Sequence, residues 1–155
     1  MLKYLTLAAF MALAVPAHAQ KAQVSVGGVT VHLFFEITGT FSADVTRIKN
    51  FSSWNFVPMG KGLPDNDRFN AFLVKVELTS RQEVFAEGRQ ATVRVRQAET
   101  GKVLVEQALD DIYVGPGGSV TKPVLVTGHV CEPLDVVVEG GGKTVKKHLA
   151  FNCGE

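Results

Sequence analysis

Two cysteines, one tryptophan and a net charge of only +1 mark this 155-residue chain, and each scarcity closes off a class of function. Cys131 and Cys153 are too far apart for a Cys-x-x-Cys motif, so neither a dithiol redox site nor a short-spaced thiolate metal site is indicated. The 16 basic and 15 acidic residues nearly cancel, which argues against nucleic acid or an anionic membrane surface as partner. Arg94, Arg96, Lys146 and Lys147 are interspersed with Glu83, Glu87, Glu99 and Glu106, the pattern of a mixed, solvated face. Long charge blocks, low-complexity tails and internal repeats are all missing.

Signatures of chemistry are equally sparse. A Gly-x-Ser-x-Gly nucleophile elbow is lacking. Gly142–Lys143–Thr144 resembles the end of a phosphate-binding loop, but that loop needs glycine at position 137, which is valine here. Asp110 and Asp111 are adjacent, so on a regular strand they would point to opposite faces and could not share a substrate. Asp65–Asn66–Asp67 could offer oxygens to calcium, yet the remaining positions of an EF-hand are missing and turn chemistry explains the tripeptide equally well. No catalytic constellation emerges, and no enzyme is expected.

What the sequence does contain begins with an address. Lys3 is followed by an uncharged apolar run over residues 4–15, and Ala17–His18–Ala19 supplies the Ala-x-Ala cleavage pattern. Residues 1–19 therefore read as a cleaved secretory signal peptide. Its run of 12 residues falls short of the ~20 needed to span a bilayer, so a membrane-embedded chain is not expected. Lys3 is the leader's one Lys, Arg, Asp or Glu, which leaves 15 basic against 15 acidic residues beyond it. Residues 20–155 have the size of one domain. The expected site of action is outside the cytoplasm, periplasmic or secreted.

Period-two alternation dominates the rest. Val29, Val31, Leu33, Phe35 and Ile37 alternate with mainly polar residues, as do Phe72, Val74, Val76 and Leu78, and then Val93 and Val95. Glu99–Thr100–Gly101 suits a turn closing on a glycine bulge, which sets Val95 opposite Val105 in the next strand, residues 102–109. Residues 120–126 form a further strand, held to an edge or a bulge by Pro123. Residues 23–26 add a short first strand. Residues 134–138 and 143–151 flank a glycine-rich turn, giving a last hairpin. Ser42 as N-cap, with Phe41, Val45, Ile48 and Phe51 at helical spacing, predicts one short helix near residues 42–50. The expectation is all-β: an immunoglobulin-like or fibronectin-like β-sandwich of seven to nine short strands.

Between the second and third strands of that count lies the irregular part, residues 52–68. With Phe51 it gathers Trp54, Phe56 and Met59. Exposed, these side chains make a platform for a protein, peptide or lipid-like ligand; folded back, they make a lid over one end of the sandwich. In an oxidising compartment Cys131 and Cys153 are expected to pair as a structural disulfide at the base of the final hairpin, whose turn centres on residue 142. That register places Val145, Leu149 and Phe151 on the same face as Asp135. Asn50–Phe51–Ser52 fits the N-glycosylation pattern, relevant only to a host with that machinery.

His32 lies on a polar strand face, while His129 is two residues before Cys131 and His148 sits in the last hairpin. The leading function is therefore an exported, non-enzymatic binding or accessory module with a protein or peptide partner, using the Phe51, Trp54, Phe56 and Met59 loop. The alternative is a copper- or zinc-binding domain using His129 and His148, with Met59 as a soft ligand. No cofactor is expected.

Overall fold

A computed structural model describes residues 24–154; the signal peptide expected at residues 1–19 lies outside the described residues. Nine strands follow in order: β1 (Ser25–Phe35), β2 (Ser52–Trp54), β3 (Val57–Met59), β4 (Phe69–Thr79), β5 (Val84–Gln97), β6 (Val103–Val114), β7 (Ser119–Thr127), β8 (Leu134–Gly140) and β9 (Lys143–Leu149). One sheet has the order β1-β4-β7, the other β6-β5-β8-β9, and β2-β3 is a separate ribbon. Leaving the ribbon aside, the first, second and fifth strands form one layer and the other four form the second. That is an immunoglobulin-like, fibronectin-like sandwich.

Alternation builds the core. Val31, Leu33, Phe72, Val74 and Val76 from one layer meet Val93, Val95, Val136 and Val138 from the other, all fully buried. β1 unites the two short strands expected at residues 23–26 and 29–37, because Gly27 is an extra residue in the ladder with β4. The bulge flips parity, so both Val26 and Val29 face inward. A Cβ at Gly27 would sit 2.6 Å from Thr79 Cγ2, so a larger residue there requires the Thr79 side chain to move. The strand ends at Phe35, and Ile37, expected inward, is 73% exposed. Its backbone N–H, with that of Thr38, is drawn instead to the Asp67 carboxylate.

Val95 does pair with Val105, and the turn before β6 closes on Gly101 (φ 72°), with Gln97 bonded to both Gly101 and Lys102. Pro123 lies on β7, an edge strand. In the last hairpin Gly141 and Gly142 occupy the turn with positive φ, and Asp135 pairs with His148. This register is one residue away from the expected one. It puts Val145 beside Val138 and Leu149 beside Leu134, so the apolar faces agree.

The short helix expected near residues 42–50 is replaced by one 3₁₀ turn, Val45–Arg47, capped by Asp44 rather than Ser42. Ser42 is tied to β1 as extended chain: it donates its N–H to the Leu33 carbonyl, and its hydroxyl accepts from Leu33 N. Too few residues remain before β2 for a helix to repay its nucleation. Asp110 and Asp111 do not lie on a regular strand. Asp111 (φ 50°) lies in an irregular stretch of the β5-β6 ladder, both carboxylates are exposed, and Asp111 accepts from Gly88 N.

Candidate functional site

The long connection from β1 to β4 crosses one end of the sandwich, and its anchors are few. Asp67, buried, accepts hydrogen bonds from Ile37 N, Thr38 N and the Thr38 hydroxyl at 2.8–3.1 Å. Burial alone would raise its pKa; these bonds outweigh that and hold the carboxyl below its ordinary range. Its oxygens are therefore occupied by donors, which favours turn chemistry over calcium for Asp65–Asn66–Asp67. Asp44 plays a similar part, accepting from Val31 N, Thr46 N and the Thr46 hydroxyl.

Within the connection, Asn55 and Phe56 turn the β2-β3 ribbon, both at positive φ (48° and 68°). That conformation is costly for a bulky residue such as Phe56. Its ring lies 5.3 Å from the Arg68 guanidinium, and its carbonyl accepts from Phe69 N, which together fix it in place. Trp54 pairs with Val57 and Ser52 with Met59, so by strand parity these four share one side of the ribbon. Ser53 and Pro58 share the other side and are buried.

This geometry divides the four aromatic-loop candidates. Phe51 and Phe56 are partly buried against the core, Phe51 meeting Phe151 edge-on at 6.0 Å. Trp54 and Met59 point outward, 52% and 47% exposed. Lid and platform, posed as alternatives by the sequence, are thus two sides of one ribbon. Val57, half-buried between them in the outward row, was missed; the flanking of Asn55 by two short apolar runs was the available signal.

The C-terminal segment carries the ribbon. Ser53 N donates to the Ala150 carbonyl and Asn55 N to the Asn152 carbonyl, both at 3.0 Å, while Gly154 N donates to Asn55 Oδ1 at 2.8 Å. Phe151 is fully buried, its ring 5.3 Å from Phe69 and 5.6 Å from Phe72. Cys153 is joined to Cys131 in a disulfide, with Cα atoms 4.8 Å apart. Gly154 then lies against the indole of Trp54, where any side chain would collide with the ring.

His32 and His148 each have their own hydrogen-bond partners. His32 Nδ1 donates to the Ser42 carbonyl (2.8 Å), and its Nε2 is hydrogen-bonded with the Thr30 hydroxyl (2.9 Å). His148 Nδ1 lies 3.1 Å from Asp135 Oδ1 on the outer side of the four-stranded sheet. Lys146 Nζ approaches the same carboxylate at 2.8 Å and Arg96 Nε at 3.9 Å. Burial pushes the Asp135 pKa upward, and the Lys146 and His148 hydrogen bonds and charges reverse this and leave it lowered. This hub was missed in the sequence, although an Asp inside the apolar run 134–138 facing a Lys/His strand could have flagged it. Arg94 bridges Glu106 and Glu139 beside it.

His129 sits in the loop before Cys131, and Met59 is on the ribbon. Among the described residues no group of three or more His, Cys, Asp or Glu side chains is placed to hold a metal ion. A cleft of about 100 Å³ lies between Gln97, Glu99, Thr100, Glu132 and Pro133, smaller than the ~300 Å³ at which small-molecule pockets begin.

Comparison with known proteins adds little to this geometry. No family model and no curated protein matches the chain. Among solved structures, it is similar to the ligand-binding region of serine-glutamate repeat protein A of Enterococcus faecium, at 10% identity and a TM-score of 0.28, over 54% of this chain and 83% of that one. So loose a superposition says nothing of this chain's ligand, and the sandwich rests on its own strand pairing. No helix among the described residues is long and apolar enough to cross a membrane.

Proposed function

We propose that this chain is an exported, non-enzymatic binding domain that docks a protein or peptide partner through the outward side of the β2-β3 ribbon. The observation that carries this reading is the exposure of Trp54 and Met59 in one row on a ribbon whose opposite side is buried. Large, half-exposed aromatics on a rigid backing are what binding hot spots are made from. The strained Phe56 turn supports it, since such backbone cost concentrates at functional segments. Two observations support the non-enzymatic, exported part. The buried carboxylates Asp67 and Asp135 are both engaged by hydrogen bonds within the fold. The Cys131–Cys153 bond suits an oxidising compartment, in keeping with the leader over residues 1–19.

The test is photo-crosslinking in the envelope of the producing cell. A photoreactive residue at position 59 is compared with the same residue at Leu125, which is exposed on β7 of the three-stranded sheet. We expect a discrete adduct from position 59 alone, suppressed by excess wild-type protein but not by excess Met59→Glu. Identical adducts from both positions, or none from position 59, would contradict the reading.

A further inference from the structure

We infer that the Cys131–Cys153 disulfide is a redox latch on the Trp54 face: reducing it frees Gly154 from the indole while the sandwich stays folded. The consequence for partner binding rests on the docking reading above; the latch itself does not.

The inference follows from the order of anchors along the C-terminal segment. Phe151 is held by the core, and the carbonyls of Ala150 and Asn152 are held by the ribbon. All of these precede Cys153 and do not depend on its sulfur. Beyond Asn152, among the described residues, the disulfide and one hydrogen bond, Gly154 N to Asn55 Oδ1, hold the chain against Trp54. A single exposed hydrogen bond is worth no more than the conformational freedom regained by one or two released residues. Without the sulfur bridge, the segment beyond Asn152 is therefore expected to leave the ring, and the indole gains both exposure and freedom.

Reach favours the chemistry, since Cys131 is exposed and Cys153 half-buried. A dithiol reductant, of the kind carried by thiol–disulfide exchange proteins, supplies the electrons. Its thiolate attacks Sγ of Cys131, forming a mixed disulfide, and Cys153 leaves as a thiolate that takes up a proton. The second thiol of the reductant then displaces Cys131. The dithiol ends as a disulfide, and two electrons and two protons have passed to the protein.

Trp54 is the only tryptophan, so it reports on its own contact. The experiment follows its emission and its quenching by acrylamide in the whole protein, before and after dithiothreitol, with thiol titration to prove reduction. We expect a red-shifted emission and a quenching constant raised up to about two-fold, as Trp54, 52% exposed, loses its Gly154 contact by local release, with an unchanged far-UV spectrum. Gly154→Val, with the disulfide intact, should give the same shift by displacing the ring directly. An unaltered indole signal after complete reduction would overturn the latch, as would loss of the far-UV spectrum or a silent Gly154→Val. No partner is needed, so failure here leaves the docking reading standing, and failure of the crosslinking test leaves the latch standing.

Discussion

The paired sheets and the ribbon corner hold their shape by different means. In the sheets, each strand is fixed by a ladder and by a row of inward Val, Leu and Phe, so no one residue decides the position of the rest. The ribbon has three residues on each side of its turn, and it is placed by separate anchors: Asp67 at the entry, Phe151 and two carbonyls beneath, and the disulfide at the far end. A surface held in this way can be altered locally without loss of the scaffold, which suits a recognition element.

The largest effect should come from the anchor both regions share. Phe151→Ala removes a fully buried ring from among Phe51, Phe69 and Phe72. We expect a loss of about 3–5 kcal/mol in urea unfolding; a loss typical of an exposed site would show that the corner is not joined to the core. The disulfide comes next. Its cysteines are 22 positions apart, and replacing both by serine should cost about 3 kcal/mol in the loop-entropy treatment, read as a lower urea midpoint at unchanged slope.

Asp135 tests the sheet side. Its folded pKa is lowered from 3.8, so its contribution is complete above that value and disappears as pH falls through the folded pKa. Stability should therefore decline from about pH 5 downward, and Asp135→Asn should flatten that decline while lowering stability at neutral pH by about 1–2 kcal/mol, as expected for a charged hydrogen-bonded group. Asp67 acts with the same sign, so part of the acid slope must survive in the variant. The smallest effect concerns Ser53, whose buried hydroxyl has no hydrogen-bond partner among the described residues. Ser53→Ala should raise stability by about 1 kcal/mol, and a loss would show that the hydroxyl is satisfied.

Legibility followed the same division. Alternation exposed most of the sandwich strands, the edge position of Pro123 and the Val95–Val105 pairing, because local period and burial share a cause. The parity change at Gly27 was hidden, since a bulge is a property of two strands and the sequence shows one. Helical spacing at Val45 and Ile48 misled for a related reason: Ser42 is bonded to Leu33, nine residues back, and tertiary bonding overrode the local pattern. In the candidate site the aromatic types were visible but their sidedness was not. It depends on a three-residue ribbon pairing with a C-terminal segment about a hundred positions away, as the bond from Gly154 to Asn55 shows. The cysteine partnership was readable from compartment and count, whereas the Asp135 hub depended on a register one residue from the expected one.

Residue-resolved amide hydrogen exchange of the oxidised protein tests the separation of ribbon from sandwich most directly. We expect the amides of Val74, Val95 and Val136 to exchange only through global unfolding, with those of Asn55 and Gly154 exchanging much faster through a local opening that urea barely affects. Equal protection and equal urea dependence in both regions would contradict it, for the corner would then be one cooperative unit with the sheets.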